Sequence, residues 1–238
     1  RTMVGGIGLS FVATVTDRRL GVERFRIHAG DGELTGSGRI QLADRHAFDL
    51  TAKARHVDPS RFGKFPAGNL DGDLTANGVL QPAWRVDANL ALVEGSRVAG
   101  VPVSGSARAT VAARIVRDAV IDLKLASARL TASGSAGGGD DRMTAALDAP
   151  QLADLAPLFP SRVPRPLTGS LRAKADLRGG FDHGGIDVEA RATALRVGPA
   201  LALGTFDALV KIAPATAGAL ALSDERKLTI ELGATAVA

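Results

Sequence analysis

The sequence predicts an all-β fold: an elongated, curved antiparallel sheet of about a dozen strands with two short helices. Three observations predict it. Apolar residues recur at every second position along most of the 238-residue chain, the period of a strand with one wet and one dry face. No stretch carries a sustained helical period. And Leu70-Asp-Gly-Asp-Leu-Thr-Ala-Asn-Gly-Val-Leu80 returns as Leu167-Thr-Gly-Ser-Leu-Arg-Ala-Lys-Ala-Asp-Leu177, 97 residues later. That spacing exceeds the roughly 20–30 residues of leucine-rich units, so each copied block holds several strands.

The elements follow in order. Leu9, Phe11, Ala13 and Val15 alternate with Ser10, Val12, Thr14 and Thr16. Phe25, Ile27 and Ala29 form the next stripe, then Leu34 to Leu42, then Phe48, Leu50, Ala52 and Ala54 opposite Asp49, Thr51, Lys53 and Arg55. Asp58-Pro59 suits a helix cap and first position, so Ser60 to Phe65 is expected as a short helix stopped by Pro66. Leu70 to Leu80 resumes strand. Val86, Ala88, Leu90 and Leu92 follow, with Glu94-Gly95-Ser96 as a turn. Ala107 to Ile115 makes another stripe, opposite Arg108, Thr110, Ala112 and Arg114; Ile121, Leu123 and Leu125 face away from Asp122 and Lys124. Arg129 to Gly134 leads to Gly137-Gly138-Gly139-Asp140-Asp141, read as a flexible hairpin tip.

The pattern then repeats. Met143, Ala145 and Leu147 correspond to Phe48, Leu50 and Ala52 at an offset of 95. Asp148-Ala149-Pro150 opens a second short helix ending near Ala156, because Pro157, Pro160, Pro164 and Pro166 oppose its continuation. Leu171, Ala173, Ala175 and Leu177 come next, then the regular stripe Ile186, Val188, Ala190, Ala192 and Ala194. Phe206, Ala208, Val210 and Ile212 precede Leu228, Ile230 and Leu232. The expected organisation is a single elongated β-repeat, residues 1–238, in blocks 1–47 (partial), 48–142, 143–204 and 205–238 (partial).

Composition narrows the chemistry. The chain has no cysteine, which excludes disulfides and thiolate metal sites. The net charge is +4 with Lys and Arg scattered, so no nucleic-acid partner is indicated. No run of about 18 apolar residues exists to span a bilayer as a helix. His28, His46, His56 and His183 do not converge: ten residues of strand separate His46 from His56 by about 33 Å, so no metal is expected. Val4-Gly-Gly-Ile-Gly8 has no βα unit behind it, and Gly36-Ser37-Gly38 lies within a strand rather than a nucleophile elbow. Asp71, Asp73, Asp140 and Asp141 read as turn residues. Arg172, Lys174 and Arg178 form the best basic stripe, either a solvated face or a contact for lipid headgroups. No catalytic residue and no cofactor is expected, and a glycan-acting enzyme is disfavoured by the lack of aromatic platforms and of an acid pair.

A sheet with one apolar face must hide it, by closing on itself, wrapping into a groove or meeting a partner. The residues alone leave the filled and hollow arrangements open. The stretches Phe48 to Leu80 and Met143 to Leu177, each an alternating strand, a short helix with Leu or Phe and then Leu-x-Gly-x-Leu, resemble the repeating body of TamB proteins. Leu34-Thr-Gly-Ser-Gly and Leu130-Thr-Ala-Ser-Gly resemble a further recurring strand. The resemblance covers roughly Leu20 to Ala238. It implies a β-taco with an apolar interior, in a periplasmic body anchored in the inner membrane of a Gram-negative bacterium. It also implies a role in outer-membrane protein assembly and in phospholipid movement between the two membranes, as in AsmA-like relatives. The family's membrane helix and its barrel-facing end are not in this sequence, so an internal fragment is expected. Contact with an Omp85-type, TamA-like barrel is then expected of parts outside it. The partners expected here are phospholipid acyl chains, on a groove lined by Phe48, Leu50, Leu90, Ile121, Leu123, Leu125, Leu171, Ile186, Val188, Phe206 and Val210. The alternative is a structural or adhesive β-repeat with a solid core.

Overall fold

The computed structural model describes residues 2–4, 7–42, 45–61, 63, 65–113, 115–159, 167–180, 184–199, 201–213 and 228–236. His183, Arg114, Pro160, Pro164, Pro166, Gly5, Gly6 and parts of the expected first helix and last block lie outside them. The fold is all-β and antiparallel, and the chain divides into two compact units, Arg1–Arg114 and Ile115–Ala238.

The first unit is a meander of β1 (Thr2–Val4), β2 (Ile7–Thr16), β3 (Arg19–Ala29), β4 (Gly32–Gln41), β5 (Ala47–Val57), β6 (Gly68–Val79), β7 (Arg85–Leu92), β8 (Arg97–Val98) and β9 (Val101–Ala112). Each strand pairs with its predecessor, except that β8 pairs with β6 and not with β7, and β9 pairs with both β7 and β8. The second unit is a meander of β10 (Ile115–Leu125), β11 (Ala128–Ala136), β12 (Arg142–Ala149), β13 (Leu167–Arg178), β14 (Gly185–Val197), β15 (Leu201–Ile212) and β16 (Leu228–Ala236). In both, a short 3-10 turn follows an alternating strand and precedes Leu-x-Gly-x-Leu: Pro59–Arg61 after β5, and Leu152–Leu158 after β12.

Several elements depart from expectation. The described residues hold 16 strands, more than the dozen read from alternation. β1 and β8 are too short to show a period. Glu94-Gly95-Ser96 is a turn as expected, the Ser96 amide donating to the Val93 carbonyl at 3.3 Å, but it does not reverse the chain. Asn69 pairs with Arg97 and Gly72 with Leu92, so β8 continues the line of β7 and the loop between them bulges out. Reversal happens at Ala99-Gly100, both with positive φ. The bulge is held by Ser96, whose side chain is fully buried. Its Oγ accepts the Asp71 amide and donates to the Asp71 carbonyl, each at 2.9 Å. The stripe Ala107 to Ile115 is cut by a turn at Ala113, and Ile115 opens β10. Both helical segments are 3-10. Pro157 sits inside the second, because its hydrogen bonds run from Asp154 to Gln151 and from Phe159 to Ala156 and need no proline N–H. The triglycine tip joins β11 to β12 and is tied down: Gly138 donates to Asp141 Oδ2 at 2.7 Å, and Gly179 to the Asp141 carbonyl at 2.8 Å.

Burial is sparse and made of small residues. The buried apolar set is Ala29, Ala52, Ala119, Ala128, Ala136, Ala149, Ala192, Val101, Val103, Leu152 and Leu155. Leu152 and Leu155 belong to the second 3-10 turn, which packs on β13. Elsewhere neighbours on the same face supply the packing. At Gly36 an added Cβ would lie 2.2 Å from the Thr51 carbonyl and 2.6 Å from the Phe25 ring, so the ring covers the gap that glycine leaves. Gly36→Ala is expected to destabilise the first unit by about 1–3 kcal/mol through this overpacking; urea unfolding followed by circular dichroism checks it.

Candidate functional site

Directly opposed residues of an antiparallel pair share a face, so the register turns each alternating stripe into rows that cross the strands. In the second unit one row runs Leu123, Leu130, Leu147, Ala173, Ala190, Ala208, Leu232. The next runs Ile121, Ala132, Ala145, Ala175, Val188, Val210, Ile230. On the far side Leu171, Ala192 and Phe206 align. The first unit repeats the device. Phe25, Gly36, Ala52, Leu74, Leu90 and Ala107 form one row, and Leu20, Ile40, Phe48, Gly78, Val86 and Val111 another.

Of the eleven groove residues read from the sequence, Phe48, Leu50 and Leu90 lie in the first unit and the other eight in the second; eight stand on the rows just given, while Leu50 lies opposite Gly38 and Ala76, Leu125 opposite Ala128, and Ile186 opposite Leu177 and Ile212. None is buried. Leu90 is exposed and the remaining ten are half-buried. Side chains between two packed sheets would be sealed, and these eleven are not buried. At one margin the second unit's face is closed, where Leu152 and Leu155 are buried and Ala128 and Ala149 are fully covered.

The rows also disclose a shape that a linear reading missed. Ala132, Ala145 and Ala175 are cross-strand neighbours on β11, β12 and β13, and Ala173, Ala190 and Ala208 are cross-strand neighbours on β13, β14 and β15. The two runs meet on β13. Together they lay a floor of methyl groups across five strands, about 19 Å long at the usual strand spacing. Leu130 and Leu147 stand on one side of it, then Val188 and Val210 on the other, with Leu171 and Phe206 opposite these. The signal was in the sequence as alanines, but their alignment depends on register.

The opposite face is polar and ion-paired. Arg129 grips Asp122 through Nε at 2.8 Å and a second nitrogen at 2.5 Å. Arg191 meets Asp207 at 2.5 Å, and Lys53 meets Asp73 at 3.2 Å. The basic stripe Arg172, Lys174 and Arg178 is neutralised in the same way. Arg172 pairs with Asp148 at 3.4 Å, Lys174 with Asp176 at 3.1 Å, and Arg178 with Asp187. Asp148 and Asp187 lie on the neighbouring strands, and Asp176 lies on the same strand as Lys174. A hollow of about 1020 Å³ is lined mainly by polar-face residues such as Arg129, Asp148, Arg172, Lys174, Glu189 and Arg191, and also takes in Leu147, Ala173, Ala190, Ala208 and Leu232 of the first apolar row. None of the eleven residues lines it. Ile121 borders a hollow of about 260 Å³ and Phe48 one of about 290 Å³. A twisted sheet is concave along one diagonal on each face, so a hollow on the polar side is a consequence of twist.

His46 precedes β5 and His56 ends it, both with positive φ. Among the described residues no group of three His, Asp or Glu is placed to hold a metal, and no helix is long and apolar enough to cross a membrane.

A family model described as TamB, N-terminal domain, matches residues 6–226. The chain belongs to the TamB family. The family supplies a component of the translocation and assembly module, a transport and assembly role, in periplasmic proteins anchored in the inner membrane. No curated protein and no solved structure matches the chain. For a TamB-family sheet, two-faced strands in sequence order are what the Leu-x-Gly-x-Leu stretches organise.

Two carboxylates tie the polar side to pH. The Ser60 hydroxyl, then the Gly68 amide, hold Asp58 below the ordinary carboxylate value, and the Arg129 guanidinium does the same for Asp122. A depressed folded value means that the stabilisation is fully present above the unfolded value. It is lost as pH falls through the folded one. Urea midpoints are expected to fall in acid below the ordinary carboxylate range, and to fall less in Asp58→Asn/Asp122→Asn.

Proposed function

We propose that this TamB-family chain is a non-enzymatic segment whose apolar rows receive phospholipid acyl chains in passage between the inner and outer membranes, or strands of outer-membrane proteins during assembly. The observation that carries the reading is the half-exposure of every large side chain on those rows, from Phe48 to Val210. A face left unsealed in water costs about 0.8 kcal/mol for each CH₂ that a ligand would cover. An acyl chain and an apolar trough relieve each other of that cost with no catalytic group. The alanine floor across β11–β15 is a low path between bulkier rows, one residue row wide, and a row is about 7 Å from the next on the same face. That width suits one hydrocarbon chain lying across the strands. Branched and aromatic walls, Val188, Val210, Leu171 and Phe206, give it sides. A solid-core repeat with a structural or adhesive role would bury these side chains against a second layer, and their half-exposure argues against it.

Native mass spectrometry of the chain purified from membranes is expected to find co-purifying phospholipid. With a photoreactive residue in place of Val188, on the wall beside the floor, lipid crosslinking should fall about tenfold or more in Ile186→Asp or Leu123→Asp, since a charge on the apolar row must be desolvated. It should be unchanged in Thr144→Asp on the polar face. Lipid-free protein, or crosslinking indifferent to all three substitutions in folded protein, would overturn the proposal.

Ala173→Phe and Ala190→Phe test the path itself. Each is expected to block crosslinking at Val188 while leaving the circular dichroism spectrum unchanged.

A further inference from the structure

One end of the first unit's sheet sets exposed apolar side chains on its connections beside exposed arginines. The β2–β3 turn at Asp17-Arg18, the β4–β5 connection at Leu42 and Arg45, and the β6–β7 connection from Leu80 to Trp84 all lie there. Backbone hydrogen bonds link them in sequence. The Leu42 amide donates to the Arg18 carbonyl at 2.7 Å, and the Leu80 and Gln81 amides donate to the Arg45 carbonyl at 3.2 and 3.1 Å. Leu42, Leu80 and Trp84 project into water with 40%, 46% and 41% of their surface exposed. Arg18, Arg19, Arg45 and Arg85 are exposed beside them. Of these, Arg85 has an acid 3.6 Å away in Asp87. The tips carry Asp17, and the sequence adds Asp44, so the arginines outnumber the acids.

We propose that this rim docks on the surface of an anionic phospholipid bilayer. Tryptophan and leucine beside arginine is the chemistry of a membrane interface. The indole sits at headgroup depth, the aliphatic side chains enter the acyl boundary, and guanidinium groups pair with phosphate. The rows of the sheet do not explain the rim, because the exposed apolar side chains here sit on connections rather than on the dry face. The polar face does not explain it either, since its charges are cross-paired within the sheet whereas Arg18 and Arg45 stand on tips. Charge selects the occupant: a net positive rim favours an anionic bilayer over a zwitterionic one. The proposal is independent of acyl-chain binding on the rows, because it concerns another surface and a bilayer rather than an extracted lipid.

Trp84 is the sole tryptophan of the chain, so its fluorescence reports on this rim alone. With vesicles of phosphatidylethanolamine and phosphatidylglycerol, its emission is expected to move to shorter wavelength and to be quenched by brominated acyl chains. Phosphatidylcholine vesicles should produce neither change. Arg18→Glu/Arg45→Glu is expected to weaken vesicle co-flotation at least about tenfold, at roughly 1 kcal/mol per arginine, and added salt should weaken the wild type. Leu42→Ser/Leu80→Ser should abolish the emission shift while leaving the far-ultraviolet circular dichroism unchanged. Trp84 emission indifferent to anionic vesicles, or co-flotation unaltered by charge reversal, would overturn the proposal. An emission change produced by added periplasmic protein and not by vesicles would overturn it too. Lipid crosslinking on the apolar rows is a separate readout, so failure of either proposal leaves the other standing.

Discussion

The structure depends on one constraint: each strand is greasy on one side only, and among the described residues the large side chains of the apolar rows are not buried. Alternation puts Leu123, Leu130 and Leu147 in a single row, and Phe25, Leu74 and Leu90 in another. In a sandwich such rows would be pressed against a facing sheet about 10 Å away. Here they remain half-covered, and among the described residues the buried apolar positions are alanines, Val101 and Val103 of β9, and Leu152 and Leu155 of the 3-10 turn. Cohesion therefore comes from within the plane of each sheet, from ladder hydrogen bonds and from side chains touching along a row.

That arrangement shapes the other face. With little interior to bury, the polar side must keep the sheet soluble and in register. Cross-strand pairs such as Arg191 with Asp207 and Lys53 with Asp73 do this. Exposed pairs add little stability singly, in the range of about 0–1 kcal/mol, but a slip of one residue would set like charges opposite and turn the apolar rows to water. Bulges add local breaks in the ladder. Positive φ at His56, Asp118 and Ala194 marks register shifts between β5 and β6, β10 and β11, and β13 and β14. The Ser96 clamp on Asp71 secures the largest interruption, where β7 passes into β8.

Much of this was legible in residue order, because a period of two is a local property. Phe48, Leu50 and Leu171 declare their face from their immediate neighbours, and all eleven groove residues fell on the apolar side for that reason. Short elements were not legible: Thr2–Val4 and Arg97–Val98 hold too few residues to show a period. The turn at Ala113 was hidden because apolar alternation ran through it. Arg172, Lys174 and Arg178 looked like a basic stripe because their acids, Asp148 and Asp187, lie on neighbouring strands. The rim at Leu42, Leu80 and Trp84 was invisible for the same reason, since hairpin tips far apart in the chain become neighbours only once the strands are stacked.

Taken alone, the sequence determined that the chain is all-β, two-faced, built on a recurring Leu-x-Gly-x-Leu and free of cysteine chemistry, and it pointed to the TamB family. These are consequences of side-chain polarity along one strand and of composition. Only the tertiary structure decided which alanines line up into a floor, which charges cancel, and how far the large side chains of the dry face stay exposed. Those outcomes are set by register and by what stacks beside what, and neither quantity is encoded in any single strand.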